Sequence, residues 1–505
     1  MQEIELKFLV PQYKIDALMR QAKIKSSVTS QLAAHYFDTP TNALASAGMA
    51  LRIRKEGDTW VQTLKSSGDG MASRGEQNNT LDEEQIATAL EQDNLYPDLS
   101  LYDDAKTSKA INQLTANQAG DQQTILTRQY VTDVERTTRL IKRDNNVIEM
   151  AYDEGKVVHG EDSQITQPIH EIEFELVEGE VSYLFEIAKT WCKRYQLCIS
   201  TVTKAERGGL LLEDKLFADA TKADLKQLSV HSKMSKPQFM RAVIHNCMIQ
   251  ILPNASAIAA GSDDGNHVHQ LRVGLRRLRT ALKFFDGFSS DINPEWLPIL
   301  KQTFSLLGDF RDRELLQTKT QPMLESVGGP FVDWSDERDN LAVMPIDAVR
   351  ANDFQLTLLE LIEYTMSSAK QDQVSRKSSA KEATTAILNK LYNKISKASD
   401  HFADLSIDEQ HDVRKRLKSL RYVSEFVRPM YKKKKTKAFL KYLEPAQEVL
   451  GEYNDNIVGH LFYAEKTNKD ANAWFAVGYF SAKEVYASQQ CAECLKQVRD
   501  APIFW

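Results

Sequence analysis

The sequence has little cysteine, no long apolar run and no strong charge of either sign. Five Cys in 505 residues, scattered and odd in number, exclude a secreted disulfide framework. Cys491 and Cys494 form a lone CxxC, whereas a structural zinc wants four ligands, so two ordinary helix cysteines are expected. No run of about 18 apolar residues occurs, which predicts no spanning helix. The chain enters a patterned acidic strand at once, with no basic segment followed by an apolar one. That predicts no signal peptide and a cytoplasmic protein. Neither GxxxxGKS nor GxxxxGKT is present, which removes the P-loop hydrolases. The net charge of -6 is mild and argues against a bulk nucleic-acid binder. What remains is an apolar fraction of 42%, enough for real cores, and a length that implies two or more domains.

The first 210 or so residues alternate with period two. Glu3, Glu5 and Lys7 alternate with Ile4, Leu6 and Phe8; Arg52 and Arg54 with Leu51 and Ile53; Glu149 and Asp153 with Ile148, Met150 and Tyr152. Glu171, Glu173 and Glu175 alternate with Ile172, Phe174 and Leu176. These are strands with one apolar and one charged face. Helices are predicted near 12–23, 82–92 and 181–195. After about residue 220 the period becomes 3.6. Ser235 with Pro237 reads as a helix start, and 253–266 reads as a loop.

Solvent would explain one charged strand face. It explains less well why the charges segregate by type, carboxylates on some strands and Arg-x-Arg on another. Three glutamates on one face, about 7 Å apart along the strand, repel unless cations lie between them. A sheet closed into a barrel can place such a face inside, with helices covering an apolar exterior. Carboxylates suit hard cations, Mg²⁺ or Mn²⁺, and Arg and Lys suit phosphate oxygens. Such a lumen fits a metal–polyphosphate complex.

The opening Glu3-x-Glu5-x-Lys7 resembles the signature of the CYTH, or triphosphate tunnel metalloenzyme, superfamily. The resemblance continues in order through Tyr36-Phe37-Asp38-Thr39-Pro40, Gly48 to Arg54, Thr63-Leu64-Lys65 and Arg74-Gly75-Glu76. It goes on through Thr132-Asp133 leading to Arg136, Ile148-Glu149 leading to Asp153, Glu171 to Leu176, and Thr203 to Gly208. It implies an α+β antiparallel β-barrel tunnel over residues 1–212 that hydrolyses inorganic triphosphate. It implies that Glu3, Glu5, Asp153, Glu171 and Glu173 hold one or two divalent cations. Lys7, Arg52, Arg54, Lys65, Arg74, Arg136 and Lys204 would grip the phosphates, and Glu3, Glu5, Lys7, Glu171 and Glu173 would form the catalytic set. A water activated by the metal and a carboxylate would attack the terminal phosphorus. Arg139 stands where relatives often have an aromatic, which predicts an altered substrate mouth. Thiamine triphosphate, nucleoside triphosphates, an RNA 5′ end or adenylate cyclisation are alternatives; a vestigial barrel on a polyphosphate-targeted scaffold is the non-enzymatic one.

Beyond a linker at 213–234, residues 235–505 read as all-α. His269, Arg272, Arg276 and Arg279 are spaced three, four and three apart, on one helical face. His411, Arg414, Lys418 and Arg421 repeat the spacing. Leu307-Gly308-Asp309-Phe310-Arg311-Asp312 matches Leu450-Gly451-Glu452-Tyr453-Asn454-Asp455 at nearly the same offset, which predicts an internal two-fold repeat. Unopposed Arg faces cost energy unless anions or carboxylates such as Asp312 and Asp455 neutralise them. This half resembles the CHAD domain, which implies binding of inorganic polyphosphate. Nucleic acid is disfavoured, since aromatics are not interleaved with the basic positions. Protonation of His269 and His411 would strengthen anion binding toward about pH 6. The run Lys432–Lys435 reads as a solvated face.

Overall fold

The structure is a computed structural model that describes residues 2–56, 59–70, 73–92, 94–102, 111, 113, 126–335, 341–367 and 379–505. Within these it gives the side chains of all but 2–3, 56, 67–70, 73–75 and 485. The chain divides into two compact units. One is Met1–Asp219 with Ala259–Ser262 and Arg350–Glu363; the other is Ala220–Ile258 with Asp263–Val349 and Tyr364–Trp505. Among the described residues no helix is long and apolar enough to cross a membrane.

In the first unit the alternating segments become β1 (Gln2–Leu9), β2 (Val28–Asp38), β3 (Met49–Glu56), β4 (Thr59–Gly70), β5 (Ser73–Leu81), β6 (Thr127–Arg143), β7 (Asn146–His159), β8 (Thr166–Glu178) and β9 (Cys198–Ile199). Between and after them run α1 (Ile15–Ala22), α2 (Ala43–Ser46), α3 (Glu83–Glu91), α4 (Val181–Tyr195) and α5 (Lys204–Leu212). The three helices predicted near 12–23, 82–92 and 181–195 are present as α1, α3 and α4, with α1 preceded by a 3₁₀ turn at Gln12–Lys14. The sheet is antiparallel, in the order β5-β4-β3-β2-β6-β7-β8-β1-β9. It returns on itself where Gln2, Glu3 and Ile4 of β1 pair with Gly75, Arg74 and Ser73 of β5.

The expected inversion of faces holds in part. Many apolar strand residues lie on the face opposite the charges and are buried there, whereas Leu32, Ala34 and Tyr36 of β2, with Tyr130, Val134 and Ile169, share the charged face and pack with Leu211 of α5. Leu6, Phe8, Ile148, Met150, Ile172 and Phe174 are buried, as are Leu184, Phe185, Ala188, Trp191 and Cys192 of α4. Phe174 meets Phe8 and Trp191 edge-on, at 5.9 and 5.4 Å between ring centroids. Around the ring, Phe37, Leu51, Ile53 and Leu64 form a second apolar patch with Leu44 of α2 and Ile86 of α3. Full burial of each large apolar side chain contributes roughly 1.5–3 kcal/mol. Helix α2 is seated by Asp38, whose carboxylate accepts from the backbone N–H groups of Leu44 and Ala45, each at 2.9 Å. The segment Tyr36 to Pro40 therefore acts locally as a strand end and a helix cap.

The second unit is helical: α6 (Lys236–Ala259), α7 (Gly265–Phe284), α8 (Trp296–Leu315), α9 (Gln321–Ser326), α10 (Pro345–Arg350), α11 (Asn352–Met366), α12 (Ala380–Ser399), α13 (Ile407–Val427), α14 (Lys433–Lys466) and α15 (Ala473–Arg499), the first unit taking Ala259 and Arg350–Glu363. The helix start at Ser235 is present: its Oγ accepts from Gln238 N, and Gln238 Oε1 accepts from Ser235 N at 3.1 Å. The loop expected at 253–266 is corrected in part: α6 continues through Pro253 to Ala259, and turn and loop occupy 260–264. Ile251, Leu252, Ala255 and Ile258 are buried there, and Asn254 bonds both backbone groups of Thr221. Tertiary burial outweighs the bond that the proline removes. Cys491 and Cys494 lie within α15 as free thiols.

Candidate active site and a basic helical face

Strand register builds the first site. On β8, Glu171, Glu173 and Glu175 point to the inner face, and each sits beside partners from β1 and β7. Glu173 pairs with Lys7 and Ala151, Glu171 with Leu9 and Asp153, and Glu175 with Glu5 and Glu149. Arg136 of β6 pairs with Asp153. Two rows of different character result.

The first row is a closed network of charges. Lys7 Nζ lies 2.8 Å from Glu173 Oε1 and 3.4 Å from Glu171 Oε1. Lys204 Nζ lies 2.7 Å from Asp153 Oδ2 and 3.0 Å from Glu173 Oε1, and also contacts Glu171. Arg136 donates a fork to Asp153 at 2.7 and 2.6 Å, and a further bond to Glu173 at 2.6 Å. Burial alone would raise the carboxyl pKa values. The charges of Lys204, Lys7 and Arg136 overcome it and hold Glu173 well below the usual carboxylate range. Asp153 is lowered against burial by Lys204 and Arg136, and Glu171 by Lys204 and Lys7. The same carboxylates raise Lys204 and Lys7, again against burial.

Lys204 is aimed by its helix. Thr203 and Glu206 form a capping box that starts α5 at Lys204. Gly208 lets the helix lie against Tyr130, whose ring a Cβ there would meet at 2.1 Å. Tyr130 donates to Ala205 O at 2.9 Å and stacks on Tyr36 at 4.8 Å. Tyr36 in turn lies beside Arg52. Burial would raise its hydroxyl, but the Arg52 guanidinium brings it below its ordinary value.

The second row sets carboxylates beside one another. Burial, then the carboxylates of Glu149 and Glu5, push Glu175 up, with Lys65 opposing. Lys65 Nζ lies 3.1 Å from Glu76 Oε2, and Arg52 reaches the same carboxylate at 3.8 Å. Glu149 and Glu175 were not expected as site residues. Both belong to the alternating strands, but only the pairing of three strands puts them in one row with Glu5.

Of the expected residues, the structure brings Lys7, Arg136, Asp153, Glu171, Glu173 and Lys204 into one network, with Arg52 and Lys65 joined through Glu76. Arg54 shares the field at Tyr36. The side chains of Glu3 and Arg74 lie outside the described residues. Arg139 is a correction: it lies on the outer face, donating to Gln21 O at 2.5 Å and lying over Trp191 at 5.9 Å. Its register partner is the buried outer residue Met150, which fixes the face.

The donor chemistry fits a divalent cation. Asp153, Glu171 and Glu173 each offer an oxygen within 4.8 Å of the others, and these are hard ligands. Glu171 Oε2 is buried without a hydrogen bond. Lys7, Lys204, Arg136 and Arg207 already surround this trio, however, whereas Glu5 and Glu149 raise Glu175 in the other row.

In the second unit the two expected basic sets lie on α7 and α13, which pack together. A two-fold relation between the α7–α8 and α13–α14 pairs stays a proposal. Arg272, Arg276 and Arg279 surround one ring, Phe304 of α8, at 4.8, 5.4 and 4.7 Å. That aromatic support had no signal in the basic spacing itself. Arg272 also donates to Leu307 O at 3.2 Å and approaches Asp312 at 4.0 Å; a Cβ at Gly308 would lie 3.1 Å from its Nη1. Arg277 faces the core instead, bonded to Asn246 and Gln250. Arg276, Lys418 and Arg421 line a cavity of about 270 Å³ with Tyr422, Glu444, Gln447 and Glu448. His411 Nδ1 is 2.9 Å from Asn454 Oδ1. Lys432–Lys435 are exposed, as expected. Burial, followed by Arg311, Arg276, Arg272 and Lys418, lowers His269, and burial with Lys415 lowers His411 despite Asn454. Both therefore gain charge below the ordinary histidine value.

A ring of antiparallel strands with charged residues inside, joined to a helical unit with paired basic faces, defines a two-part class. The CYTH domain model matches residues 1–208 and the CHAD domain model residues 242–464, so the chain carries a CYTH domain followed by a CHAD domain. It is similar to an inorganic triphosphatase of Haemophilus influenzae, 34% identical over 225 residues, which is 43% of this chain. That match spans 57% of the relative's length. Among solved structures, the CHAD domain of Ricinus communis aligns with a TM-score of 0.47 at 24% identity, over 56% of this chain and 99% of that one. A putative adenylyl cyclase of Hippeastrum, described as having a dominant triphosphatase activity, aligns with a TM-score of 0.29 at 17% identity, over 43% and 97%.

Proposed function

We propose that the first unit hydrolyses inorganic triphosphate to diphosphate and phosphate, and that it requires a divalent cation, Mg²⁺ or Mn²⁺. The observation that carries this reading is the network of Lys7, Arg136 and Lys204 with Asp153, Glu171 and Glu173 on the inner face. Arg52 and Lys65 meet there through Glu76. The similarity to a named inorganic triphosphatase supports it. Glu5, Glu149 and Glu175, and the trio Asp153, Glu171 and Glu173, would hold one or two cations. Such an ion supplies charge neutralisation on the phosphate oxygens and acidifies water. Arg52, Arg54 and Lys65 would orient the phosphate chain through forked and point contacts. Lys7 and Lys204 would shift from carboxylate to phosphate as substrate enters. Phosphate release across inorganic, thiamine and nucleoside triphosphates with each metal tests the assignment. Inorganic triphosphate should be the best substrate, and no metal-dependent release from it would refute the reading. Arg54→Ala should raise the barrier by roughly 2–3 kcal/mol, as for a lost charged hydrogen bond, with Arg54→Lys recovering only part. Full activity of the lysine variant would show that forked geometry is unnecessary.

We also propose that the second unit binds inorganic polyphosphate through Arg272, Arg276, Arg279, Arg414, Lys418 and Arg421, with His269 and His411 at the same faces. Arg272, Arg276 and Arg279 share one ring, and Arg276, Lys418 and Arg421 one cavity, which suits a chain of anions. Affinity should rise with chain length and fall with salt. Changing Arg272, Arg276, Arg414 and Arg421 to Glu should abolish binding of long chains; unchanged isotherms would point to Lys432–Lys435 instead.

A further inference from the structure

Lys418 lies midway along α13 and has no hydrogen bond or ion pair among the described residues. Its surroundings are cationic on nearly every side. Arg414 and Arg421 flank it on α13, with His411 further back. From α7 come Arg272, Arg276 and His269, and from α8 Arg311 and Asp312 bear on the same cluster. Helix α14 contributes Asp455, with Glu444 and Glu448 on the cavity wall. The acids nearby are engaged elsewhere or outnumbered: Asp312 faces Arg272 at 4.0 Å, and Arg421 is bonded to Glu425 at 2.8 Å and to Gln447 at 2.7 Å. A mostly buried amine in a field of like charge, opening on a cavity, is short of an anion.

We propose that Lys418 couples phosphate-chain binding to proton uptake, through the cavity it shares with Arg276 and Arg421. This rests on the polyphosphate reading and names how that site responds to pH. Burial, then the charges of Arg276 and Arg414, lower Lys418 to about 6. Phosphate oxygens bring opposite charge and raise it again. Above about pH 6 the free amine is neutral, so binding takes up a proton; below it the amine is already charged. Affinity is therefore flat below about pH 6 and falls by up to about tenfold per pH unit above it. His269 and His411 are unchanged in a Lys418→Arg variant, so any proton uptake at them is common to both proteins.

The test uses the full chain with long inorganic polyphosphate in EDTA, which holds divalent cations away from the first unit. Calorimetry at pH 7.5 in buffers of different protonation enthalpy counts protons taken up. Wild type should take up about one more proton per occupied cavity than Lys418→Arg, which keeps the charge and should bind with a flatter pH profile. Binding elsewhere in the chain cancels in that difference. Lys418→Met should bind weakly at every pH. Equal proton uptake in wild type and Lys418→Arg overturns the coupling. A side-chain NMR titration of Lys418 in the free protein gives an independent reading. A midpoint near 6 is expected, and one near the ordinary lysine value of about 10.4 overturns the coupling alone. Absence of polyphosphate binding in both proteins overturns the polyanion reading and the coupling with it.

Discussion

Glu173→Gln should destabilise the first unit by about 3–5 kcal/mol in EDTA, because it leaves buried cations without their shared partner. Among the described residues Glu173 is the one carboxylate that meets Lys7, Lys204 and Arg136 together, at 2.8, 3.0 and 2.6 Å. Its side chain is 12% exposed, so solvent screens the loss only weakly. The midpoint of thermal unfolding should drop on the order of 10 °C. The pH dependence has a definite sign. Burial opposes ionisation, but Lys204, Lys7 and Arg136 put Glu173 well below the usual carboxylate range. Its contribution is complete above that range and is lost as the pH falls through the folded-state value. Acid unfolding should therefore be shallower in the variant. Glu175→Gln is the contrast: its carboxyl is raised by burial and by Glu149 and Glu5, so removing its charge relieves repulsion and stability should hold or rise. Equal losses in the two variants would show that the rows do not differ in charge balance.

Lys204→Met should unmask the carboxylate trio as a metal site. The lysine touches Asp153, Glu171 and Glu173 at once, where the three oxygens converge within 4.8 Å. Without it, Lys7, Arg136 and Arg207 remain against the three carboxylates. Stability in EDTA should fall by about 3–5 kcal/mol, the scale for breaking a buried ion pair. Mg²⁺ or Mn²⁺ should restore part of it, since a ligand bound only by the folded state stabilises by mass action. The variant's unfolding midpoint should thus respond more strongly to added metal than the parent's. An equal metal response would place the cation elsewhere, with Glu5, Glu149 and Glu175 the next set to change. Triphosphate turnover should fall in either case, because Lys204 is also a proposed phosphate contact.

Much of this was legible before any coordinates. The alternation at Glu3 to Phe8, Arg52 to Ile53 and Glu171 to Leu176 named the strands and the charged face, because strand side chains alternate whatever the strand pairs with. The 3.6-residue period and the offsets at His269 and His411 placed the basic residues on helix faces. Pro253 misled, since local chemistry argues for a break and only the buried neighbours of α6 show why the helix continues. Arg139 misled because alignment position does not state a face, whereas its pairing with Met150 does.

Sequence alone determined the residue types, the two periods and which positions share an element, all properties of neighbours within one turn or one pleat. Tertiary structure decided which charges meet. Strand register joined Glu173 to Lys7 and set Glu5, Glu175 and Glu149 in one row. Packing of α7 on α13 left Lys418 among arginines. Charge interactions depend on distance and on burial. Both are set by residues far apart in the chain, and no spacing along it records them.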